Sequence, residues 1–348
     1  MKILDVKAES KTSRILIGER ISNLKKYLIP GKKTIILTDS NILKYYRDQL
    51  PGDIPVIEMG LGESHKTLET LAMIMNKLVE MEADRTSFLL AIGGGIVCDV
   101  GGFAASIYMR GIPFGFVSTT LLSQVDASVG GKNGVNFKRY KNMVGVFNQP
   151  DFVLCDNRMF ETLDPEEFRS GFAEIIKAGA IKNEALFHYC RKNATRALKN
   201  DEEVITHMVF ESVKIKAAVV EADEREKGER RLLNFGHTFA HALEKMTNTL
   251  HGKAVSAGLV LAARVSQKMG MLSPDDVELI RSVIASYGLP TEPEIPVQDL
   301  FQAMKQDKKR EGDSIHLVLL EKIGNAVTRK ISFYELQNII DDLRSDIG

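Results

Sequence analysis

The chain has 348 residues, 44% of them hydrophobic and 26% charged, with 46 basic and 46 acidic side chains and a formal net charge of zero. This is length enough for two domains and the composition of an ordinary globular protein, and the balanced charge gives no reason to expect nucleic acid or an anionic membrane as a partner. Its three cysteines, Cys98, Cys155 and Cys190, are scattered with no C-x-x-C among them, which indicates neither a disulfide framework nor a thiolate zinc site and fits a reducing compartment.

No apolar stretch approaches the length of a membrane span. The first twenty residues carry charges every few positions, unlike a signal peptide. A cytoplasmic protein is expected. Along the chain, KKTIILTDS reads as a buried strand, and IPVIEMG as another. The loop after it, GLGESHKT, places Glu63 and Lys66 where they could meet ribose hydroxyls and a phosphate, or simply lie in solvent. TLETLAMIMNKLVEMEA has helical periodicity. SFLLAIGGG is a strand ending in glycines, and IVCDVGGFAASIYMRG is a glycine-rich turn feeding a helix. Glycines at the carboxyl end of a strand let backbone amides approach a phosphate, although the G-x-G-x-x-G fingerprint is absent and a plain tight turn would read the same way. IPFGFVSTT and PDFVLCD are further strands. Strands alternating with helices to about residue 156 predict a parallel sheet covered by helices. Between the last two strands, STTLLSQVDASVGGKNGVN and KNMVG bring Thr119, Thr120, Asp126, Lys132, Lys141 and Asn142 into what reads as loops. This cluster suits a phosphorylated or acidic small molecule.

From about residue 164 helical segments dominate, which predicts residues 1–160 as one domain and 161–348 as a second, mostly helical one. GFAEIIKAGAI is apolar on nearly all sides, so the helix is buried and Glu174 and Lys177 need partners. They could pair with each other, or Glu174 could hold a metal. LLNFGHTFAHALE reads as a helix with His237 and His241 on nearly one face. Thr238 occupies the position where H-E-x-x-H proteases carry their general base, so that reading fails. His251, in LHGKAV, stands at a helix start, where capping or a solvated ring is the ordinary role. Together Glu174, His237 and His251 also make a His₂Glu set, the pattern of catalytic zinc with an open position. His241 would then serve in proton transfer or phosphate binding. Lys216, Arg230 and the pair Lys308 and Lys309 are further basic groups that could bind an acidic substrate. SIHLVLLEKIGNAVTRKI reads as a β-hairpin.

In order, G-E-x-x-K, G-G-G-x-x-x-D, Y-x-R-G, T-T-L-L-x-Q-V-D-x-S-V-G-G-K, K-N-M, S-G-x-A-E-x-I-K, L-N-x-G-H-T-x-x-H-A-x-E, H-G-x-A-V and D-K-K span roughly residues 35 to 320. This series strongly resembles the 3-dehydroquinate synthase family of sugar-phosphate cyclases. The resemblance implies a Rossmann-like NAD-binding domain, a helical zinc- and substrate-binding domain (Co²⁺ being a possible substitute), a homodimer, and a site in the cleft between the domains. It places the metal ligands on Glu174, His237 and His251. NAD contacts fall on Asp39, Gly62, Glu63, Ser64, His65, Lys66, Gly95, Ile96, Val97, Cys98, Asp99, Thr119, Thr120, Lys132, Lys141, Phe160 and Thr162. Catalytic roles fall on Asp126, Lys177, Lys216, Asn234 and His241. Substrate contacts fall on Arg110, Lys132, Asn142, Arg230, Lys308 and Lys309, with Arg110 reaching a neighbouring subunit's phosphate.

The implied substrate is the acid phosphate DAHP (3-deoxy-D-arabino-heptulosonate 7-phosphate). It is oxidised transiently at C5 by NAD⁺, loses phosphate, is reduced again and closes by an aldol step to 3-dehydroquinate. Another sugar-phosphate cyclase, a polyol-phosphate dehydrogenase and a nucleotide-sensing module on a dead cyclase are the alternatives. Asn133, Tyr140, Lys253 and Ser118 depart from the family's usual Thr, Gly, Glu and Pro, each beside a matched position rather than on it.

Overall fold

The strand β5 (Phe88–Gly93) is buried along its whole length, as expected of a continuous apolar run at the centre of a parallel sheet. In the computed structural model, which describes residues 1–138, 140–305 and 313–345, β5 is one of seven strands. The others are β1 (Lys2–Lys7), β2 (Thr12–Ile17), β3 (Thr34–Asp39), β4 (Val56–Met59), β6 (Phe114–Ser118) and β9 (Phe152–Cys155), in the order β1-β2-β9-β6-β5-β3-β4. Only the β1–β2 pair is antiparallel. The helices α1 (Ser40–Tyr46), α2 (Leu68–Glu80) and α3 (Gly95–Ile107) follow β3, β4 and β5 in sequence. Two begin on side-chain caps: Asp39 accepts the N–H groups of Asn41 and Ile42, and Thr67 accepts that of Thr70.

The segment expected as loops is ordered into an antiparallel hairpin, β7 (Lys132–Phe137) and β8 (Tyr140–Phe147). Lys132, Lys141 and Asn142 therefore lie on strands. Their polarity reflects exposure on a two-stranded ribbon rather than lack of secondary structure. The departure Asn133 has a structural role here. Its side-chain amide donates to the carbonyls of Gly131 (3.1 Å) and Asn148 (2.8 Å), and its Oδ1 lies 2.1 Å from where a Cβ on Gly102 would sit. Gly102→Ala should cost about 1–3 kcal/mol, because the amide is held and cannot retreat. A urea-unfolding midpoint equal to that of the unaltered protein would refute this.

The second part is helical, with α4 (Pro165–Lys182), α5 (Glu184–Leu198), α6 (Glu202–Ala222), α7 (His237–Thr247), α8 (His251–Lys268), α9 (Pro274–Ser286), α10 (Val297–Lys305) and α11 (Phe333–Ser345). The expected hairpin is present as β10 (Ser314–Lys322) and β11 (Asn325–Ser332). The middle of α4 is buried from Phe168 onward except at Arg169, as its apolar circumference requires. Two compact units result: residues 1–164 with 216–225, and residues 165–215 with 226–348. The end of α6, with Lys216, thus belongs to the first. Among the described residues no helix is long and apolar enough to cross a membrane.

Candidate metal centre and nucleotide cradle

In the first unit, the residues matched to NAD follow the carboxyl ends of parallel strands: Asp39 ends β3, Gly62–Lys66 follows β4, Gly95–Asp99 follows β5, Thr119 and Thr120 follow β6, and Phe160 and Thr162 follow β9. Open α/β sheets bind ligands at that edge. Lys141 lies instead on the exposed hairpin, as does Lys132.

Lys66 is buried. Its Nζ donates to Asp99 Oδ2 and Asn142 Oδ1, both at 2.5 Å, so the hairpin and the first turn of α3 share one ammonium group. Burial raises the Asp99 pKa, and the Lys66 charge opposes that shift. Glu63 accepts from the Asn136 amide at 2.8 Å, while Ser64 and His65 are exposed and Ile96 is half-buried. Val97 and Cys98 are core residues, and burial pushes the Cys98 thiol well above its usual pKa. Thr119 donates its N–H to the Gly93 carbonyl at 3.0 Å, and Thr120 caps a turn with Ser123. The departure Ser118 hydrogen-bonds Ser123 Oγ at 2.5 Å. Phe160 is buried, and Thr162 Oγ1 lies 2.7 Å from the Tyr46 hydroxyl. A second ion pair joins Lys216 to Asp126, whose backbone carbonyl also accepts from the Lys216 ammonium at 2.5 Å. Arg110 is exposed in the left-handed region (φ +68°), next to Met109 in the same region (φ +49°).

The second unit holds the metal candidates. Glu174 and Lys177 sit one turn apart on α4, both almost fully buried, and Lys177 Nζ contacts Glu174 Oε2. The other carboxylate oxygen, Oε1, lies 3.5 Å from His237 Nε2 and 3.7 Å from His251 Nε2. The two sequence alternatives for Glu174, ion pair and metal ligand, thus use different oxygens of one group. The three donor atoms all lie within 4.8 Å of one another. Tetrahedral zinc with bonds of about 2.0–2.1 Å sets its ligand atoms roughly 3.3 Å apart. Separations of 3.5 and 3.7 Å are long for a good hydrogen bond and close to that edge. The residues fit a small divalent cation.

Close packing sets this convergence. A Cβ at Gly252 would lie 2.0 Å from the Ser170 carbonyl oxygen, and the Gly252 N–H donates to Ser170 Oγ at 2.9 Å. Only glycine lets the first turn of α8 press onto α4 and bring His251 to Glu174. The LLNFGHTFAHALE segment is not one helix. Asn234 ends a short 3₁₀ turn, and Gly236 in the left-handed region (φ +78°) breaks the chain before α7 begins at His237. Asn234 donates to Glu226 Oε1 at 2.6 Å.

Burial depresses the His237 pKa to about 3, with Lys177 adding to the effect. Burial also acts to lower that of His251, but the carboxylates of Glu174 and Glu244 override it and raise it to about 10. His237 therefore presents a neutral imidazole, the form that ligates metal. Beside the cluster opens a cavity of about 360 Å³ lined by Asn234, His237 and His241, and also by Arg231, Lys245 and His316, which the sequence reading had not singled out. Arg230 is 2% exposed. The departure Lys253 pairs with Glu166 at 3.0 Å, and Tyr140 is exposed on the hairpin. Lys308 and Lys309 lie outside the described residues.

Sequence comparison with known proteins points to one family. The family profiles described as 3-dehydroquinate synthase N-terminal and C-terminal match residues 56–170 and 171–310. The 3-dehydroquinate synthase of Halorhodospira halophila is 41% identical, covering 90% of this chain and 91% of the relative. That of Dictyoglomus thermophilum is 38% identical over 100% of this chain and 99% of the relative. Among solved structures, the 2-epi-5-epi-valiolone synthase of Streptomyces hygroscopicus with NAD⁺ and Zn²⁺ bound aligns with a TM-score of 0.86. It is 25% identical, covering 99% of this chain and 100% of the other.

Proposed function

The chain belongs to the 3-dehydroquinate synthase family of carbon–oxygen lyases, and from that premise we propose how its residues divide the work on the substrate. The reaction converts DAHP into 3-dehydroquinate and inorganic phosphate. Elimination of phosphate needs an acidic hydrogen beside the leaving carbon, and a ketone at C5 provides the acidity that an alcohol does not. When bound, NAD⁺ would supply reversible hydride transfer and a divalent cation, Zn²⁺ in our reading, would supply Lewis acidity toward the hydroxyls that react.

Glu174, His237 and His251 would hold that cation. Lys177 neutralises part of the Glu174 charge and turns Oε1 toward the imidazoles. Asp39, the Gly62–Lys66 turn, Gly95–Asp99, Thr119, Thr120, Lys141, Phe160 and Thr162 would hold the dinucleotide. His241, Asn234, Lys132, Asn142 and a partner subunit's copy of Arg110 would receive the phosphate, whose developing charge calls for several donors. Arg230, Lys308 and Lys309 would take the carboxylate. The joined Asp126–Lys216 pair can pass a proton without exposing an isolated charge. We expect a homodimer, and a cytoplasmic location consistent with three free, buried thiols.

The observation that carries the reading is Glu174 Oε1 facing two Nε2 atoms at 3.5 and 3.7 Å. These three groups stand beside a cavity lined by Asn234 and His241, in a chain 38% identical along its whole length to a synthase of this name. Incubation with DAHP, NAD⁺ and Zn²⁺ should release one phosphate per substrate with no net rise in nicotinamide absorbance. Stoichiometric NADH without phosphate would instead indicate a polyol dehydrogenase.

A further inference from the structure

We infer that Glu244 is a positioning residue of the metal centre. Its carboxylate fixes the His251 ring so that Nε2 is the metal-binding nitrogen, and its charge strengthens that nitrogen as a ligand. The inference rests on reading Glu174, His237 and His251 as the ligand set.

Glu244 lies on α7, seven residues after His237, on a stretch where Phe239, Ala240, Ala242 and Leu243 are buried. Its own side chain is 4% exposed. A carboxylate in such a place costs several kcal/mol unless it is paired. Its partner is the imidazole across the α7–α8 turn. Asn248, in the left-handed region (φ +58°), ends α7, and α8 starts at His251. Glu244 Oε1 thus comes 3.0 Å from His251 Nδ1. A carboxylate oxygen only accepts, so Nδ1 carries a hydrogen, and Nε2 is left as the nitrogen that can give its lone pair to a cation that displaces its own proton. Nε2 is the nitrogen turned to Glu174.

His237 is oriented in the same manner by a different group. Its Nδ1 lies 3.2 Å from the Phe235 backbone carbonyl, and its Nε2 also faces Glu174. Both rings therefore have their outer nitrogen occupied and the same inner nitrogen presented. Of the two, His251 has the charged group at its outer nitrogen, and a carboxylate behind an imidazole makes it a stronger donor.

Zinc affinity of the full-length, chelator-stripped protein, measured by competition with a chromophoric chelator, tests this. The visible spectrum of bound Co²⁺ reports ligand geometry. We expect Glu244→Gln, which keeps an acceptor of the same shape, to retain the wild-type unfolding midpoint and bind zinc about tenfold more weakly. Glu244→Ala should bind up to about 100-fold more weakly and alter the Co²⁺ spectrum. If Glu244 merely joined α7 to α8, Glu244→Ala would lower the unfolding midpoint while the folded protein kept its zinc affinity. Wild-type affinity in Glu244→Gln would overturn the inference. His251→Ala is the control: loss of tight zinc there upholds the ligand set whatever Glu244 does. Undiminished zinc binding in His251→Ala, or none in the unaltered protein, would remove the ligand set itself.

Discussion

Glu174→Ala should purify without tightly bound metal and release phosphate from DAHP at least about 10³-fold more slowly, the effect of several kcal/mol of lost charge stabilisation. The same change should also destabilise the fold by about 3–5 kcal/mol. It leaves Lys177, 4% exposed, buried without the carboxylate it contacts. The two effects separate in a double variant. Removing Lys177 as well takes away the uncompensated charge, so Glu174→Ala/Lys177→Ala should recover part of the unfolding midpoint while remaining free of metal. If the double variant regained metal, or if Glu174→Ala kept it, the carboxylate would be a structural partner of Lys177 and no ligand.

His241→Ala should behave in the opposite way, keeping its metal and losing rate by about 10²–10⁴-fold, the range for a proton-transfer group or a phosphate donor. His241 follows His237 by one turn of α7, with the rings nearly perpendicular and their centroids 5.5 Å apart. The three donors that converge within 4.8 Å do not include it. It lines the adjoining cavity with Asn234. A raised KM for DAHP with unchanged affinity for NAD⁺ would assign the loss to the phosphate contact. Loss of zinc from His241→Ala would show that His237 and His241 had been given each other's roles.

The parallel sheet was legible because its strands are short apolar runs ending in polar or glycine stops, as in KKTIILTDS and SFLLAIGGG. Glu174 and Lys177 stood out for a similar reason: two charges in a helix apolar on every side must have partners. The β7–β8 hairpin was missed because β8 is mostly exposed and the buried middle of β7, Asn133–Gly134–Val135, is a short run carrying one apolar side chain, so neither strand shows the alternation that marks a half-buried strand. The break at Gly236 was hidden because the helical spacing of His237 and His241, both after it, was extended back through Asn234. Glu244 was visible as a glutamate one turn after His241. Its partner lies seven residues away across a reversal of the chain, and helical periodicity gives no sign of that contact. The sharing of Lys66 between Asp99 and Asn142 joins residues 33 and 76 positions apart, a pairing that only the fold reveals.

The most direct test of the metal centre is anomalous scattering at the zinc absorption edge from crystals of the zinc-loaded protein. The account predicts a single strong peak about 2.0–2.2 Å from Glu174 Oε1, His237 Nε2 and His251 Nε2, with His241 outside bonding distance. A peak bonded to His241, or a cation bound elsewhere with these three groups left to hydrogen-bond one another, would contradict it.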